Sequence, residues 1–184
     1  MKKIIFLVLA VMLCSFVGAF AQETEVEEQT LDFDTVGEMI SWSTNAEDIY
    51  NMLSEYSNVD ISVEQDEQYG KTISATSESE DEAFAYVFYF DNDTEELWEV
   101  ECVAYIYDND LIVPAFQYLY ESYGFESAEP YENEILAEYA ADFDESYCVA
   151  GDGTIALLAA SGETEDTYAK LALVLINREY FEQN

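Results

Sequence analysis

The stretch AFAYVFYFDNDTEELWEVECVAYIY, residues 83–107, decides how this chain folds. Apolar side chains alternate with other residues in both of its arms, which is the period of a β-strand. One face carries Phe84, Tyr86, Phe88 and Phe90 in the first arm and Trp98, Val100, Cys102, Ala104 and Ile106 in the second, with Glu99 and Glu101 on the opposite face. Turn-forming residues, Asp91-Asn92-Asp93-Thr94, separate the arms. The stretch therefore predicts a long antiparallel β-hairpin.

Two amphipathic helices are predicted on either side of this hairpin. The first follows a capping box, Thr44 with Glu47 three residues later, and extends to about residue 58. The second begins at Asp110 and stops at Gly124, a residue type favoured just past a helix end. A further helical segment is predicted over residues 134–143, and further strands over 59–63, 71–76, 146–150, 154–161 and 168–176.

The order of these elements predicts an internal duplication. Residues 50–55 of the first helix align with 116–121 of the second, and residues 94–98 align with 164–168. We therefore predict an α+β fold of two tandem helix-plus-three-strand (αβββ) repeats, about 31–107 and about 108–184, with the helices packed on one face of an antiparallel sheet. Convergent patterning of two helices and two hairpins would produce the same resemblance.

The first 21 residues have the organisation of a secretory signal peptide. Two lysines precede an apolar run, and Ala19-Phe20-Ala21 supplies the small-x-small cleavage pattern. The run is too short to cross a bilayer comfortably, and a lipoprotein signal at Cys14 is the alternative. Residues 22–30 then form an acidic flexible leader, and 31–184 form one domain. We expect a bacterial protein that is exported after signal-peptide cleavage, to the periplasm or the extracellular space, without membrane insertion.

Acidity is the dominant compositional feature. The chain has 41 acidic and 5 basic residues and a formal net charge of −36. Nucleic-acid binding depends on Lys and Arg neutralising phosphates, so this class of partner is excluded, and an anionic membrane surface is repelled. A cationic partner or divalent cations would instead relieve the self-repulsion of the chain.

The sequence predicts no catalytic residue and favours a non-enzymatic protein. It contains no histidine, which removes the Ser-His-Asp and Cys-His mechanisms and the commonest metal ligand. It also lacks the G-x-S-x-G, P-loop and G-x-G-x-x-G motifs. Glycoside hydrolysis needs only two carboxyl groups, so a small carboxylate-dependent hydrolase remains an alternative.

Calcium is the one cofactor that the sequence suggests. Asp91, Asp93 and Glu95 in the first turn, and Asp108 and Asp110 in a second, place carboxylate oxygens at alternating positions, and Ca²⁺ prefers such oxygen ligands. The first turn lacks the glycine and the distal glutamate of an EF-hand. An acidic cation-binding protein is therefore a further alternative, beside the simpler reading that these residues only form turns.

Two cysteines, Cys102 and Cys148, follow the predicted signal peptide. Exported proteins meet an oxidising compartment, where paired cysteines form disulfides. A Cys102–Cys148 disulfide is the hypothesis, and two separate buried thiols are the alternative.

Aromatic residues suggest an interaction face. The chain has 15 Tyr and 11 Phe, and aromatic side chains with a polar end are favoured at interfaces. We predict that Glu99, Glu101, Tyr105 and Tyr107 contribute to such a face, unless tyrosine simply replaces phenylalanine at the core margin. The leading functional hypothesis is an exported non-enzymatic binding or interaction protein of a bacterial envelope or secretome. Its expected partner is a protein or a carbohydrate, and a cationic partner is one of the expected cases.

Overall fold

A computed structural model describes residues 33, 41–56, 58–66, 70–78, 82–151, 153–162 and 168–183. The predicted signal peptide and acidic leader lie outside these residues. The described helices are α1 Ala46–Leu53, α2 Asn109–Ser122, α3 Glu134–Ala140 and α4 Arg178–Gln183. The described strands are β1 Val59–Asp66, β2 Gly70–Glu78, β3 Glu82–Phe90, β4 Leu97–Ile106, β5 Glu129–Pro130, β6 Glu145–Ala150, β7 Thr154–Ser161 and β8 Ala169–Asn177.

These strands form one antiparallel sheet with the order β1-β2-β3-β4-β8-β7-β6-β5. The two halves of the chain meet where β4 pairs with β8 at the centre of the sheet. Within the described ranges, no helix combines the length and the apolar character that a membrane crossing requires.

The predicted pair of αβββ repeats with helices on one sheet face is wrong. Four strands, not three, follow α1, and the strands of both halves form one continuous sheet. Helices also lie on both faces, with α1 and α2 packed on one and α3 on the other. Both halves of the chain contain amphipathic helices and alternating strands because each half contributes strands to the same sheet and helices that cover it. The similarity between the halves therefore does not require a duplicated unit.

The predicted hairpin is confirmed as β3 and β4, with one irregularity that moves a tryptophan. Tyr89 pairs with Glu99 whereas Phe90 pairs with Leu97, so a β-bulge leaves Trp98 without a partner in β3. Trp98 consequently packs against Tyr89, with ring centroids 5.8 Å apart. The sequence pattern placed Trp98 on the same face as Val100, and that assignment is wrong.

The larger core lies on the sheet face covered by α1 and α2, which we call face one. Tyr86 and Phe88 of β3 lie opposite Cys102 and Val100 of β4 on this face. The helices contribute Ile49 and Leu53 from α1 and Leu119 from α2, all of them fully buried. Phe33 packs edge-on against Phe84, with ring centroids 5.3 Å apart.

A smaller core lies on the opposite face, which we call face two. Leu136 and Tyr139 of α3 cover apolar residues of β7 and β8, namely Ile155, Leu157, Val174 and Ile176. Burial of both faces explains why β3 is apolar at almost every position, as strands buried on two sides usually are.

Side-chain caps fix the helix starts. Asn45 caps α1 by accepting a hydrogen bond from the backbone N–H of Asp48 at 3.0 Å, so the cap is one residue later than the predicted Thr44. Asp108 caps α2 and Asn133 caps α3 in the same manner. Gly124 has φ +68° just beyond α2, as the sequence predicted for a glycine at a helix end.

Candidate functional site

The most unusual chemical feature of the fold is a pair of buried carboxyl groups on face two. Glu99 and Glu101 of β4 are only 6% and 5% exposed. They point to the same side because alternate residues of a strand share a face. We call these two residues the carboxyl pair.

Tyrosine hydroxyls from two different elements hold one member of the pair. Tyr139 of α3 donates to Oε1 of Glu101 at 3.0 Å, and Tyr89 of β3 donates to Oε2 at 3.2 Å. Within the described part of the chain, no hydrogen bond reaches the carboxyl group of Glu99. The two carboxyl groups therefore have unlike environments.

Burial changes the protonation of the pair. Burial, together with the charge of the neighbouring Glu101, raises the pKa of Glu99 to about 8. Burial also raises the pKa of Glu101, although the hydrogen bonds from Tyr139 and Tyr89 oppose that effect. The pKa values of both tyrosines are raised, chiefly by burial, so both remain protonated donors. At neutral pH Glu99 should thus hold a proton.

No basic side chain of the described residues forms a salt bridge with Glu99 or Glu101. Among the described residues, the salt bridge that forms joins Arg178 Nε to Glu182 Oε1 at 2.8 Å. The ammonium of Lys170 lies 5.9 Å from the ring centroid of Tyr105. Two ionised carboxylates at this position would therefore be buried without a counter-charge, which is costly.

A cleft of about 580 Å³ opens on the same sheet face as the carboxyl pair, between α3 and β6. Leu136 and Leu157 are buried and provide an apolar floor, and the exposed Glu132 and Glu134 provide an acidic rim. The lining is completed by Tyr131, Asn133, Ala137, Ala140, Ser146 and Cys148. Burial raises the pKa of the Cys148 thiol to about 11, so it is not an activated nucleophile.

Helix α3 belongs to both features. Leu136, Ala137 and Ala140 line the cleft, while Tyr139 on the same helix donates to the carboxyl pair. Any movement of α3 relative to the sheet therefore affects the cleft and the carboxyl pair together.

Two of the predicted calcium ligands are engaged in local structure, Asp108 as the cap of α2 and Asp91 in the β3–β4 turn. Asp91 Oδ1 accepts hydrogen bonds from the backbone N–H groups of Thr94 and Asp93, and these bonds lower its pKa. Its Oδ2 accepts from the hydroxyl of Tyr180 at 2.9 Å. In the described ranges no group of three or more acidic or cysteine side chains is close enough to hold a metal ion.

The two acidic turns are also far apart. The residues of the first turn, Asp91, Asp93 and Glu95, precede β4, whereas Asp108 and Asp110 follow its other end. A ten-residue strand is about 30 Å long. The two turns therefore cannot share one cation.

The structure does not bring the two cysteines of the predicted disulfide together. Cys102 of β4 lies on face one, and Cys148 of β6 lies on face two beside Leu157. Two strands, β8 and β7, separate them, which is a distance of about 14 Å at the usual strand spacing. A disulfide requires Cα atoms within about 7 Å.

The four residues predicted for an interaction face do not form one exposed surface. Glu99 and Glu101 are buried, and Tyr105 is 9% exposed and packs edge-on against Tyr168. Tyr107 alone is well exposed, at 43%. The prediction failed because it assumed that face two faces solvent, although the apolar run of β3 indicated burial on both sides.

Sequence reasoning missed Tyr89, Tyr139 and the cleft. Tyr139 is 38 residues away from Glu101 in the chain, so no local pattern brings them together. Glutamates spaced two apart inside an otherwise apolar strand were the available signal for a buried carboxyl pair.

Comparisons of the chain with protein-family models, with curated proteins and with solved structures find no match.

Proposed function

We propose that this chain is an exported, non-enzymatic binding protein that takes a short cationic segment of a protein partner in the cleft between α3 and β6. The observation that carries the proposal is the combination of an apolar floor, Leu136 and Leu157, with an acidic rim, Glu132 and Glu134. Its volume of about 580 Å³ is within the range of ligand sites.

The charge of the chain supports a cationic occupant. With 41 acidic and 5 basic residues, the protein has few internal counter-charges, and a partner with lysine or arginine side chains would supply them. Complementary charge also accelerates encounter between partners.

A protein segment fits this cleft better than the other ligand classes. A segment that alternates apolar and basic side chains would use both the floor and the rim. A carbohydrate would leave the charges of the rim without a counter-charge, and a metal ion would make no use of an apolar floor. Tyr131 adds an aromatic ring to the lining, and a cation can pack on such a ring.

The hydrolase alternative lacks a supporting observation. A carboxylate-dependent hydrolase needs two carboxyl groups that face one substrate cleft. Glu99 and Glu101 are buried beneath Tyr139 and Tyr89, and neither lines the cleft.

Isothermal titration with a synthetic peptide of alternating lysine and leucine tests the proposal. We expect the Glu132→Gln/Glu134→Gln double variant to bind about tenfold more weakly than the unaltered protein, because two rim charges of about 0.5–1 kcal/mol each are lost.

A matched control separates the cleft from general acidity. The Glu47→Gln/Glu64→Gln variant also removes two exposed acids, one of them in the first turn of a helix as Glu134 is, but far from the cleft. Its affinity should change less than about twofold. Equal losses in the two double variants would mean that the peptide binds the acidic surface diffusely, and the proposed site would then be abandoned.

A further inference from the structure

Helix α3 is held on the sheet by few contacts. It has seven residues, of which Leu136 and Tyr139 are buried. A helix this short is not stable in isolation and depends on its packing. Its hold on face two therefore rests largely on these two side chains, one apolar and one hydrogen-bonded to the carboxyl pair.

The groups that face the carboxyl pair offer it no positive charge. Tyr89 faces it from β3 and Tyr139 from α3, while β8 presents Val174 and Ile176 next to Glu101 and Glu99. On β4 itself the nearest titratable neighbour is Tyr105, whose pKa is raised in part by the charge of Glu101. Lys170 is the basic residue of β8 on this face, but its ammonium lies 5.9 Å from the ring centroid of Tyr105. Tyr180 of α4 donates its hydroxyl to Asp91 and not to the pair. A second negative charge on the pair would therefore be relieved chiefly by water, which reaches the pair when α3 moves away.

We infer that the proton held by the carboxyl pair controls how firmly α3 packs on the sheet, and that loss of this proton loosens α3 and alters the cleft. The control of α3 packing by the proton concerns the fold alone, whereas the effect on the cleft rests on the proposed function. The direct link is the Tyr139 hydroxyl, which donates to Glu101 at 3.0 Å in a buried position.

The expected pH dependence has a definite sign. Glu99 retains its proton up to about pH 8 in the packed state, but it would lose the proton near its ordinary pKa of 4.5 once α3 exposes it. The opening equilibrium of α3 should therefore rise by up to tenfold per pH unit between about pH 5 and about pH 8, and then level off.

Amide hydrogen exchange of the full chain measures this opening residue by residue. After correction for the intrinsic dependence of exchange on pH, protection of the α3 amides should fall by up to tenfold per pH unit over that range. Protection of the α1 amides should change less, because Glu99 and Glu101 are the buried carboxyl groups among the described residues and both lie on the sheet face away from α1. A pH-independent α3, or a parallel fall in α1 and α3, would overturn the inference.

Two variants sharpen the assignment. Glu99→Gln replaces the protonated carboxyl with a neutral group of similar shape, so protection of α3 should fall less steeply with pH than in the unaltered chain. Tyr139→Phe removes the hydroxyl link, so protection of α3 should already be reduced at about pH 5, where the pair is protonated. If neither variant folds, the pH profile of the unaltered chain still decides the question.

The peptide titration distinguishes this inference from the proposed function. If α3 shows the predicted pH profile and the lysine–leucine peptide does not bind, the proposed function fails while the proton-controlled packing stands. If the peptide binds the cleft with equal affinity at about pH 6 and about pH 9 while α3 protection stays constant, the proton control fails and the proposed function stands.

Discussion

Replacing Glu99 with glutamine should remove a large pH-dependent loss of stability. Glu99 is buried, and its pKa is raised from 4.5 to about 8. The folded state therefore keeps a proton that the unfolded chain releases above about pH 4.5. The contribution of Glu99 to the free energy of unfolding therefore falls as pH rises from about 4.5 to about 8, and it is constant above and below that window.

The magnitude follows from the size of the shift. Each pH unit inside the window costs about 1.4 kcal/mol. Near pH 7 the chain is about 2.5 units into the window, so the penalty from Glu99 is about 3 kcal/mol. This is a large fraction of the stability of a typical domain, about 5–15 kcal/mol.

Urea unfolding followed by tryptophan fluorescence provides the assay. Trp98 is a suitable reporter, because its ring lies 5.0 Å from the ring of Tyr180 and 5.8 Å from that of Tyr89. The free energy of unfolding would be compared at several pH values for the unaltered chain, Glu99→Gln and the exposed-site control Glu47→Gln. The slope of the free energy of unfolding against pH is compared and not its absolute value, because the additional N–H of glutamine introduces a cost of about 1 kcal/mol that is the same at every pH.

We expect the unaltered chain and Glu47→Gln to lose stability in parallel, and Glu99→Gln to lose about 3 kcal/mol less between about pH 5 and about pH 8. The reasoning would be refuted if the Glu99→Gln profile ran parallel to that of the unaltered chain.

Four further substitutions test local features of the fold. Gly70→Ala should destabilise the fold by more than about 2 kcal/mol, because Gly70 has φ +88° and a Cβ would collide with the carbonyl oxygen of Phe90. Gly153 has φ +81° but lies in open space, so Gly153→Ala should cost only about 1 kcal/mol. Thermal unfolding of the two variants measures both costs. Asp91→Ala should cost about 1 kcal/mol by removing the acceptor of the β3–β4 turn, and chemical unfolding at neutral pH would show no change if that turn were unimportant. Asn133→Ala should cost about 1 kcal/mol and lower the exchange protection of α3 more than that of α1.

Local patterns in the sequence predicted the elements better than their arrangement. The alternation of β3 and β4 gave the hairpin, and the segment over residues 134–143 proved to contain α3. The pairing of β4 with β8 joins strands that are far apart in the chain, so the single sheet could not be read from local periodicity. The bulge beside Tyr89 shifts one residue and reverses the side of Trp98, and no residue type in the stretch announces it.

In the candidate site, too, the residue types were predictable from the sequence but their spatial arrangement was not. Glu99 and Glu101 were visible as acids in an apolar strand, but Tyr139 of α3, which binds Glu101, lies outside the hairpin. Cys102 and Cys148, the pair of the predicted disulfide, lie apart because strand order and register, not residue type, place them two strands from each other and on opposite faces. Spacing along the chain cannot supply strand order.

A map of amide chemical-shift changes, recorded while the lysine–leucine peptide is added near pH 6, tests the proposed binding function most directly. At this pH Glu99, with its pKa raised to about 8, holds its proton and α3 is packed. We predict that the saturable changes concentrate at residues 131–140 and 146–148, around the floor and rim of the cleft. Changes that are spread over the acidic surface, or that centre on the free edge of β1, would contradict the account.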